Sequence, residues 1–324
     1  MQLIINYATG LRAIVIGDIM LDHYIWGEAS RLSPEAPVPI VNVLKDTYSM
    51  GGAANVSINL KTLGVLVEII GIIGTDAAGD HLQNLFTENE IIFDEQQRVA
   101  GVETIVKTRI VAMQQQICRI DREKEDGRFA LERIIDDPDD LLHNVDLVIL
   151  SDYNKGALTQ KFVTSIIDTA HKNHCFVAVD PKPQSGIIYA GADLLTPNAA
   201  EAMAMASARV LPSDEDGWRE ICKKINQIHP SKHLAITLGE DGILLAKNGQ
   251  FLRIVPTHKV PVSDVSGAGD TVIAALSVAL CAGAEPGDAA HFANTAAGIV
   301  VGKSGTATVS PAEIINREHQ LAKK

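Results

Sequence analysis

Short apolar runs alternate with amphipathic stretches along most of the chain. Five runs are continuously apolar rather than alternating, which is typical of strands buried on both faces: residues 11–17, 67–73, 146–151, 175–180 and 234–238. Apolar side chains recur at helical spacing between them, in residues 53–63, 159–172, 198–207 and 214–228. This order predicts an α/β fold, a doubly wound and mostly parallel sheet with helices on both faces.

Two segments interrupt the alternation. Residues 22–49 contain Pro34, Pro37 and Pro39 and then a short β-type run, and residues 102–121 read as two alternating strands around a turn. We expect the two segments to meet in a small β-sheet lid inserted into a single domain that spans residues 1–324. An exposed sheet usually needs covering, so the lid also favours a homodimer.

Composition narrows the class of protein. Of 324 residues, 46% are apolar and 21% are charged, as in ordinary globular proteins, so disorder and coiled coil are excluded. The 28 Lys and Arg against 40 Asp and Glu give a net charge of −12, which argues against a nucleic-acid partner. Small anionic substrates stay open, because a few local cations and backbone amides are enough to bind one phosphate.

Targeting signals are not visible in the sequence. The first ten residues lack the basic and apolar regions of a signal peptide, and no apolar run approaches the ~20 residues that span a bilayer. The four cysteines lie far apart, which is typical of reduced thiols. We therefore expect a cytoplasmic protein without a membrane partner.

The sharpest chemical motif is a glycine bend before a helix. Residues 262–271 read VSDVSGAGDT and lead into apolar residues at helical spacing. Gly267 and Gly269 would let a ligand approach the backbone, and the amides of Ala268, Gly269 and Asp270 would be unpaired donors at a helix N-terminus, where the dipole favours an anion. Asp270 could then accept a proton from an incoming hydroxyl. The same sequence is also compatible with an ordinary loop and N-cap before a buried helix.

Two motifs together resemble one enzyme family. The Gly267–Asp270 motif is similar to the C-terminal signature of the PfkB, or ribokinase-like, sugar kinases, and Gly51-Gly-Ala-Ala-Asn55 resembles their sugar-site motif. The resemblance covers residues 14–308 and implies a ribokinase-like fold, ATP as phosphoryl donor and Mg²⁺ as cofactor. It makes Asp270 the catalytic base and the amides of residues 267–269 the anion hole.

Other segments are similar to one branch of that family. Residues 17–22, 30–39, 150–157, 180–182 and 195–201 resemble the kinase module of bacterial heptose 7-phosphate kinases of the lipopolysaccharide core pathway. That module is often fused to an adenylyltransferase, and this chain resembles the stand-alone form. The resemblance implies phosphorylation of the anomeric hydroxyl of D-glycero-D-manno-heptose 7-phosphate. Kinases for ribose, fructose or fructose 6-phosphate remain alternatives, as does a non-catalytic sugar- or nucleotide-binding regulator.

The resemblance also assigns the remaining site residues. In the sugar pocket it places Asp22, which alone would be read as a solvated turn acid, with Gly51, Gly52 and Asn55, and Asp152 follows a strand where α/β ligands bind. The distal phosphate needs cations, and the candidates are Arg31, Arg109, Lys155 and Lys182.

The nucleotide side is assigned in the same way. Asn198 and Glu201 share a helical face and would organise Mg²⁺ through water, although Glu201 also fits a capping box. The nucleotide would lie against Thr237, Gly239, Gly242 and Asn294, where a plain hairpin turn is the alternative for the first three. Asp264 and Val265, with the backbone near Lys303 and Gly305, resemble a loop for a monovalent cation such as K⁺.

Overall fold

Eight strands form the main sheet of the computed structural model, which describes residues 1–113, 115–124, 128–135, 137–211, 214–258 and 260–321. Numbered in chain order and given in spatial order, they are β14 (Gln250–Val255), β13 (Ile243–Lys247), β12 (His233–Thr237), β11 (Leu194–Leu195), β10 (Phe176–Asp180), β9 (Leu147–Ser151), β1 (Arg12–Gly17) and β4 (Leu66–Ile70). The six strands from β12 to β4 are parallel, and β13 and β14 extend the sheet as antiparallel strands.

Helices cover both faces of this sheet, which confirms the doubly wound α/β prediction. One face carries α1 (Gln2–Ala8), α2 (Ala53–Thr62), α3 (Ala77–Glu88), α8 (Ala268–Cys281), α9 (Pro286–Val300) and α10 (Pro311–Leu321). The other carries α4 (Pro138–Leu141), α5 (Gln160–Lys172), α6 (Ala199–Met205) and α7 (Glu215–Ile228). Within the described part of the chain, no helix combines the length and apolarity needed to cross a bilayer.

Strand β1 shows why continuous apolarity was the right signal. Ala13 and Val15 pack into the core on one face, whereas Ile14 and Ile16 pack into the core on the other. Successive side chains of a strand point to opposite faces, so a strand with two covered faces needs an apolar residue at every position.

A second sheet of four strands stands beside the first. Its order is β3 (Pro39–Gly52), β2 (Ile19–Leu32), β7 (Ile105–Ala112) and β8 (Gln115–Arg122), with β2 and β7 parallel and the outer pairs antiparallel. A two-stranded pair, β5 (Ile73–Gly74) and β6 (Arg98–Val99), lies apart from it. We call the four-stranded sheet the lid sheet. It combines both interrupting segments, as predicted; Gln114, between β7 and β8 in the sequence, lies outside the described residues.

The lid hairpin is longer and more regular than the sequence indicated. Strands β2 and β3 have 14 residues each, whereas only residues 39–43 were expected to be extended. Pro34 and Pro37 lie between the strands and Pro39 begins β3, positions at which proline removes no ladder hydrogen bond. The outer half of the hairpin is mostly exposed, so its sequence lacks the alternation that marks a half-buried strand.

The carboxyl ends of β1, β9 and β10 meet where the lid sheet begins. Gly17 ends β1 and pairs with Ser151 at the end of β9, and β2 starts two residues later. A Cβ on Gly17 would lie 2.0 Å from the carbonyl oxygen of Ser151, so only glycine lets the strands approach here. Ligands of open α/β sheets bind at this edge.

Replacing Gly17 with Ala tests this packing. The new methyl group would collide with backbone, so we expect the free energy of unfolding to fall by about 1–3 kcal/mol. Gly298→Ala is the matched control, because a Cβ on Gly298 in α9 meets nothing within 4 Å. That variant should gain about 0.5–1 kcal/mol from helix propensity. Urea unfolding of both variants measures the difference, and equal midpoints would refute the close approach.

Candidate active site

The glycine bend caps helix α8. Gly267 is the N-cap residue, with a left-handed φ of +79°, and a Cβ there would lie 2.5 Å from Nδ2 of Asn55. The amide of Ala268 donates to the carbonyl of Val265 at 3.2 Å, so the expectation of three unpaired amides was wrong for this one. Gly269 and Asp270 follow in the first turn, where N–H groups have no acceptor within the helix and the dipole favours an anion.

Asp270 lies in the first turn of α8 with its carboxylate held from two sides. Nδ2 of Asn55 donates to Oδ2 at 2.6 Å, and the hydroxyl of Tyr153 donates to Oδ1 at 2.8 Å. The residue is buried, and burial raises the pKa of this carboxyl to about 6, with the charge of Asp22 acting in the same direction. The two hydrogen bonds and Lys107 oppose that rise.

The loop after β9 delivers Tyr153 to this carboxylate. Asp18, next after β1, accepts hydrogen bonds from the amides of Tyr153, Lys155 and Ala157 at 2.9, 3.1 and 3.0 Å. Burial raises the pKa of Asp18, while the same three amides lower it. A single buried carboxylate therefore fixes the backbone that carries Tyr153.

Asp22 lies on β2 at the boundary between the two sheets. Its Oδ1 pairs with the guanidinium of Arg109, and Thr306 Oγ1 donates to Oδ2 at 3.5 Å. A Cβ on Gly51 would lie 2.9 Å from Asp22 Oδ2, and Gly52 follows as the N-cap residue of α2, the helix of Asn55. Burial raises the pKa of Asp22 and Arg109 opposes the rise, so Asp22 is an enclosed, paired acid rather than a solvated one.

Two cavities meet at Gly269 and Thr237. The first, of 220 Å³, is polar and includes Asp152, Asp180, Lys182, Glu201 and Asp270 in its wall. The second, of 380 Å³, is mostly apolar, with Ile243, Val260, Val272, Ala297 and Val301 in its wall. An apolar cavity beside a polar one, with a helix N-terminus between them, matches a ligand that has a flat apolar base and an anionic tail.

Most residues predicted for the nucleotide line the apolar cavity. Thr237 ends β12, and Gly239 and Gly242 form the turn into β13, so the predicted hairpin is present and faces the cavity. Asn294 on α9 also lines it, but its Nδ2 donates to the carbonyl oxygens of Val255 and Pro256 at 2.9 and 3.3 Å. Asn294 thus ties α9 to the end of β14 as well as facing the cavity.

Asn198 and Glu201 form the capping box that their spacing allowed. The amide of Glu201 donates to Asn198 Oδ1 and the amide of Asn198 donates to Glu201 Oε2, both at 3.0 Å. Lys182 Nζ donates to Oε1 of Glu201 at 2.9 Å. Lys182 therefore lies in the wall of the polar cavity, paired with Glu201.

The polar cavity offers carboxylate oxygens suited to a hard cation. Burial raises the pKa of Asp180 well above its ordinary value, and the charges of Asp270 and Glu201 raise it further. Asp152 accepts hydrogen bonds from the Tyr189 hydroxyl and the Asn154 amide. Among the described residues no three acids, histidines or cysteines converge closely enough to ligate a metal directly. The oxygen-rich wall instead fits Mg²⁺, which keeps several of its waters when bound.

The loop of Asp264 and Val265 approaches the backbone of Gly305, as the resemblance implied. The Asp264 carboxylate accepts from the amide of Ser266 at 2.9 Å and from that of Gly305 at 3.2 Å. Val265 is exposed to 67% and borders the apolar cavity. Asp264 thus joins two loops directly behind the glycine bend.

The other cations predicted to bind the distal phosphate differ in their positions and partners. Arg109 is committed to Asp22, and its guanidinium also lies 5.2 Å from the centre of the Tyr24 ring. Lys155 donates to Glu123 at 2.8 Å. Arg31 is exposed, nine residues beyond Asp22 along β2, a span of about 30 Å, so the structure does not bring it to the site.

Four residues of this arrangement were missed from the sequence. Asp18 and Asp180 each sit at the end of a buried strand, within segments already noted for their resemblance, so position alone could have indicated them. Tyr153 also lies in such a segment, residues 150–157, although an aromatic residue in a loop is ordinary. Lys107 left no such signal, because a lysine in an alternating strand is ordinary.

Tyr153→Phe tests how the Asp270 carboxylate is held. The variant loses a hydrogen bond that lowers the pKa of Asp270, so this pKa should rise above the wild-type value of about 6. Carbon-13 NMR of Asp-labelled protein, with Asp270→Asn to assign the resonance, measures it. Tyr7→Phe, on the exposed face of α1, is the control and should leave it unchanged. An unchanged pKa in Tyr153→Phe would contradict the contact.

Comparisons with known proteins identify the family of this chain. The profile of the pfkB family carbohydrate kinases matches residues 11–313. The bifunctional protein HldE of Sulfurimonas denitrificans is 41% identical over 314 residues, which are 96% of this chain and 65% of that protein. HldE of Helicobacter acinonychis is 38% identical over 320 residues, 95% of this chain and 67% of that protein. This chain thus spans about two thirds of the length of these relatives.

Solved structures show the same fold. Phosphofructokinase-2 from Escherichia coli, in complex with substrates and products, superposes with a TM-score of 0.77 at 18% identity, over 96% of this chain and 99% of that one. Ribokinase from Giardia lamblia gives a TM-score of 0.77 at 21% identity, over 94% and 99%. Together with the profile match over most of its length, this shows that the chain belongs to the pfkB family of carbohydrate kinases, phosphotransferases that act on sugars.

Proposed function

We propose that this kinase transfers the γ-phosphoryl group of ATP to the anomeric hydroxyl of D-glycero-D-manno-heptose 7-phosphate and forms the 1,7-bisphosphate, within lipopolysaccharide core synthesis. The observation that carries the proposal is the buried Asp270 carboxylate in the first turn of α8, where the polar and apolar cavities meet. The whole chain, residues 1–324, would act as one kinase domain with the lid inserted.

Asp270 is the proposed base. A pKa of about 6 leaves the carboxylate ionised at neutral pH, yet more basic than a solvated aspartate, which favours proton transfer. Asn55 and Tyr153 fix its two oxygens, so a sugar hydroxyl that reaches Asp270 meets an oriented acceptor. Phosphoryl transfer is mostly loose, so the base chiefly orients the hydroxyl and takes its proton late.

The first turn of α8 would hold the transferring group. The amides of Gly269 and Asp270 and the helix dipole supply positive potential without a net charge. Gly267 and Gly269 have no side chains, and a Cβ built on Gly269 would meet nothing within 4 Å. A phosphoryl group would therefore have room to lie against the backbone here. Ala268 shapes this bend through its bond to Val265 and does not contribute its amide.

Mg²⁺ would be held through water by Glu201, with Asn198 and the Asp180 carboxylate nearby in the polar wall. When bound, it would neutralise charge on the nucleotide phosphates. The adenosine would occupy the apolar cavity against Thr237, Gly239, Gly242 and Asn294. A potassium ion at the loop of Asp264 and Val265 would steady the glycine bend from behind, and one neighbouring structure is phosphofructokinase-2 from Escherichia coli in complex with potassium.

The acceptor would lie between the lid sheet and α2. Asp22, Gly51, Gly52 and Asn55 would contact the sugar, with Asp152 at the floor. The segments similar to heptose 7-phosphate kinases support the heptose, and the identity of about 40% to the HldE proteins over nearly the whole chain agrees with that similarity.

The lid also favours self-association. Its outer parts expose large apolar side chains, among them Leu32 and Leu44 at 68% and Ile120 at 56%. A second copy would cover them in a homodimer. We place the reaction in the cytoplasm, where ATP is made available.

A substrate panel tests the proposed acceptor. With ATP and Mg²⁺, we expect ADP release with heptose 7-phosphate to exceed that with ribose or fructose by at least about tenfold in kcat/KM, because these sugars lack a distal phosphate whose recognition is worth about 1.4 kcal/mol or more. Fructose 6-phosphate carries a phosphate, so a lower kcat/KM with it tests recognition of the sugar itself. A coupled ADP assay measures it. Preference for another sugar would replace the heptose assignment, and no ADP with any sugar would favour a regulator.

Asp270→Asn tests the base. Turnover should fall by at least about 10²-fold, because general-base assistance is typically 10²–10⁴-fold. Stability should not fall: the folded pKa lies above that of the unfolded chain, so the buried charge destabilises the fold above pH ~6, and the amide removes that penalty. Steady-state kinetics and thermal midpoints at pH 8 measure both. Turnover close to wild type would refute the role.

A further inference from the structure

The inner face of the lid sheet carries a cluster of cations. Lys107 lies opposite Asp22 on β2 and opposite Asp121 on β8, and Arg109, two residues on, lies opposite Arg119. Directly opposite residues of neighbouring strands point to the same face. Arg109 reaches Asp22 on this face, so the face is the one that meets the candidate sugar pocket.

The other cations near this face are already paired. Arg109 pairs with Asp22, Arg119 with Asp121, and Lys155 with Glu123. Lys107 differs: within the part of the chain that the structure describes, its Nζ has no carboxylate partner and no hydrogen bond, and its contact is with the ring of Tyr153, 5.5 Å from the centre. A half-buried ammonium without an anion is costly unless a ligand supplies one.

The electrostatic surroundings of Lys107 also favour the binding of an anionic ligand. Burial lowers the pKa of its ammonium, and the charges of Arg119 and Lys155 lower it further. Asp22 and Asp121 raise it but are shared with Arg109 and Arg119. A bound dianion would compensate for the cost of burying the ammonium and for its repulsion by the neighbouring cations.

The position of Lys107 favours binding of the acceptor over binding of the nucleotide. Tyr153 connects the two chemistries, because its ring lies under the Lys107 ammonium and its hydroxyl donates to Asp270. A sugar whose hydroxyl reaches Asp270 and which extends along Tyr153 would bring its far end towards Lys107. The apolar cavity proposed for the adenosine and the polar cavity proposed for Mg²⁺ include no residue of the lid sheet in their described walls.

We propose that Lys107 binds the phosphate monoester of the acceptor and selects phosphorylated over unphosphorylated sugars. The proposal rests on the proposed kinase function and deepens it. It replaces the four cations expected from the sequence, three of which are paired and one of which, Arg31, lies far along the lid.

Binding of the acceptor without ATP tests this directly. Isothermal titration of heptose 7-phosphate into wild type and Lys107→Met should show affinity reduced by about 10- to 100-fold in the variant, the usual effect of losing a charge-assisted hydrogen bond. ATP affinity should stay unchanged, the thermal midpoint should not fall because the variant removes a half-buried charge, and Lys107→Arg should recover part of the affinity. Lys107→Gln serves if the Met variant fails to fold. Lys124→Met is the matched control, because Lys124 is exposed and pairs with Glu103 at the edge of the lid.

Kinetics separate this role from the alternatives. We expect KM for the sugar phosphate to rise, with kcat nearly unchanged and with inorganic phosphate losing its ability to compete. A fall in kcat at unchanged acceptor affinity would overturn the proposal by assigning Lys107 to the transferring group, and unchanged kinetics would overturn it too. The wild type could instead prefer a different sugar phosphate, and Lys107→Met could bind that sugar phosphate more weakly. This result would refute the heptose as substrate and support phosphate binding by Lys107. Preference for an unphosphorylated sugar would refute both.

Discussion

The proposed chemistry depends on one buried carboxylate, that of Asp270. Removing a carboxylate from water costs several kcal/mol unless hydrogen-bond donors compensate. At Asp270, the side-chain amide of Asn55 and the hydroxyl of Tyr153 compensate only in part. The remaining imbalance raises the pKa to about 6, roughly 3 kcal/mol of differential stability. In the proposed mechanism, that imbalance makes the carboxylate more basic than a solvated aspartate at neutral pH.

Each donor to Asp270 comes from a different part of the fold. Asn55 lies in the first turn of α2, the helix that follows the lid hairpin, and Tyr153 follows β9 in a loop fixed by Asp18 next after β1. The parallel sheet supplies the precision, because its strands all end at one edge and are buried on both faces. The lid sheet grows out of the same edge, so a sugar bound there would be enclosed by β2 and β7 while it faces α8. The proposed reaction centre of this chain thus combines strand ends, one helix N-terminus and the lid sheet.

The sequence predicts much of this arrangement, for identifiable reasons. Continuous apolar runs marked the core strands, and two glycines before Asp270 marked the helix cap, because both follow from local rules. The lid hairpin was underestimated, since its exposed outer half carries no hydrophobic alternation. Pairing between distant residues could not be read at all: Arg109 is neutralised by Asp22, Lys182 by Glu201 and Lys155 by Glu123. Only the fold shows that Lys107, which the motifs did not mark, is the cation left facing the pocket without an acid of its own among the described residues.

A crystal structure with a non-hydrolysable ATP analogue and the sugar phosphate bound together tests the central claim most directly. It should show the γ-phosphate at the first turn of α8 and the anomeric oxygen within hydrogen-bond distance of the Asp270 carboxylate, on the side not used by Asn55 and Tyr153. A γ-phosphate bound elsewhere, or a sugar hydroxyl directed at another acid while Asp270 faces protein alone, would contradict the account.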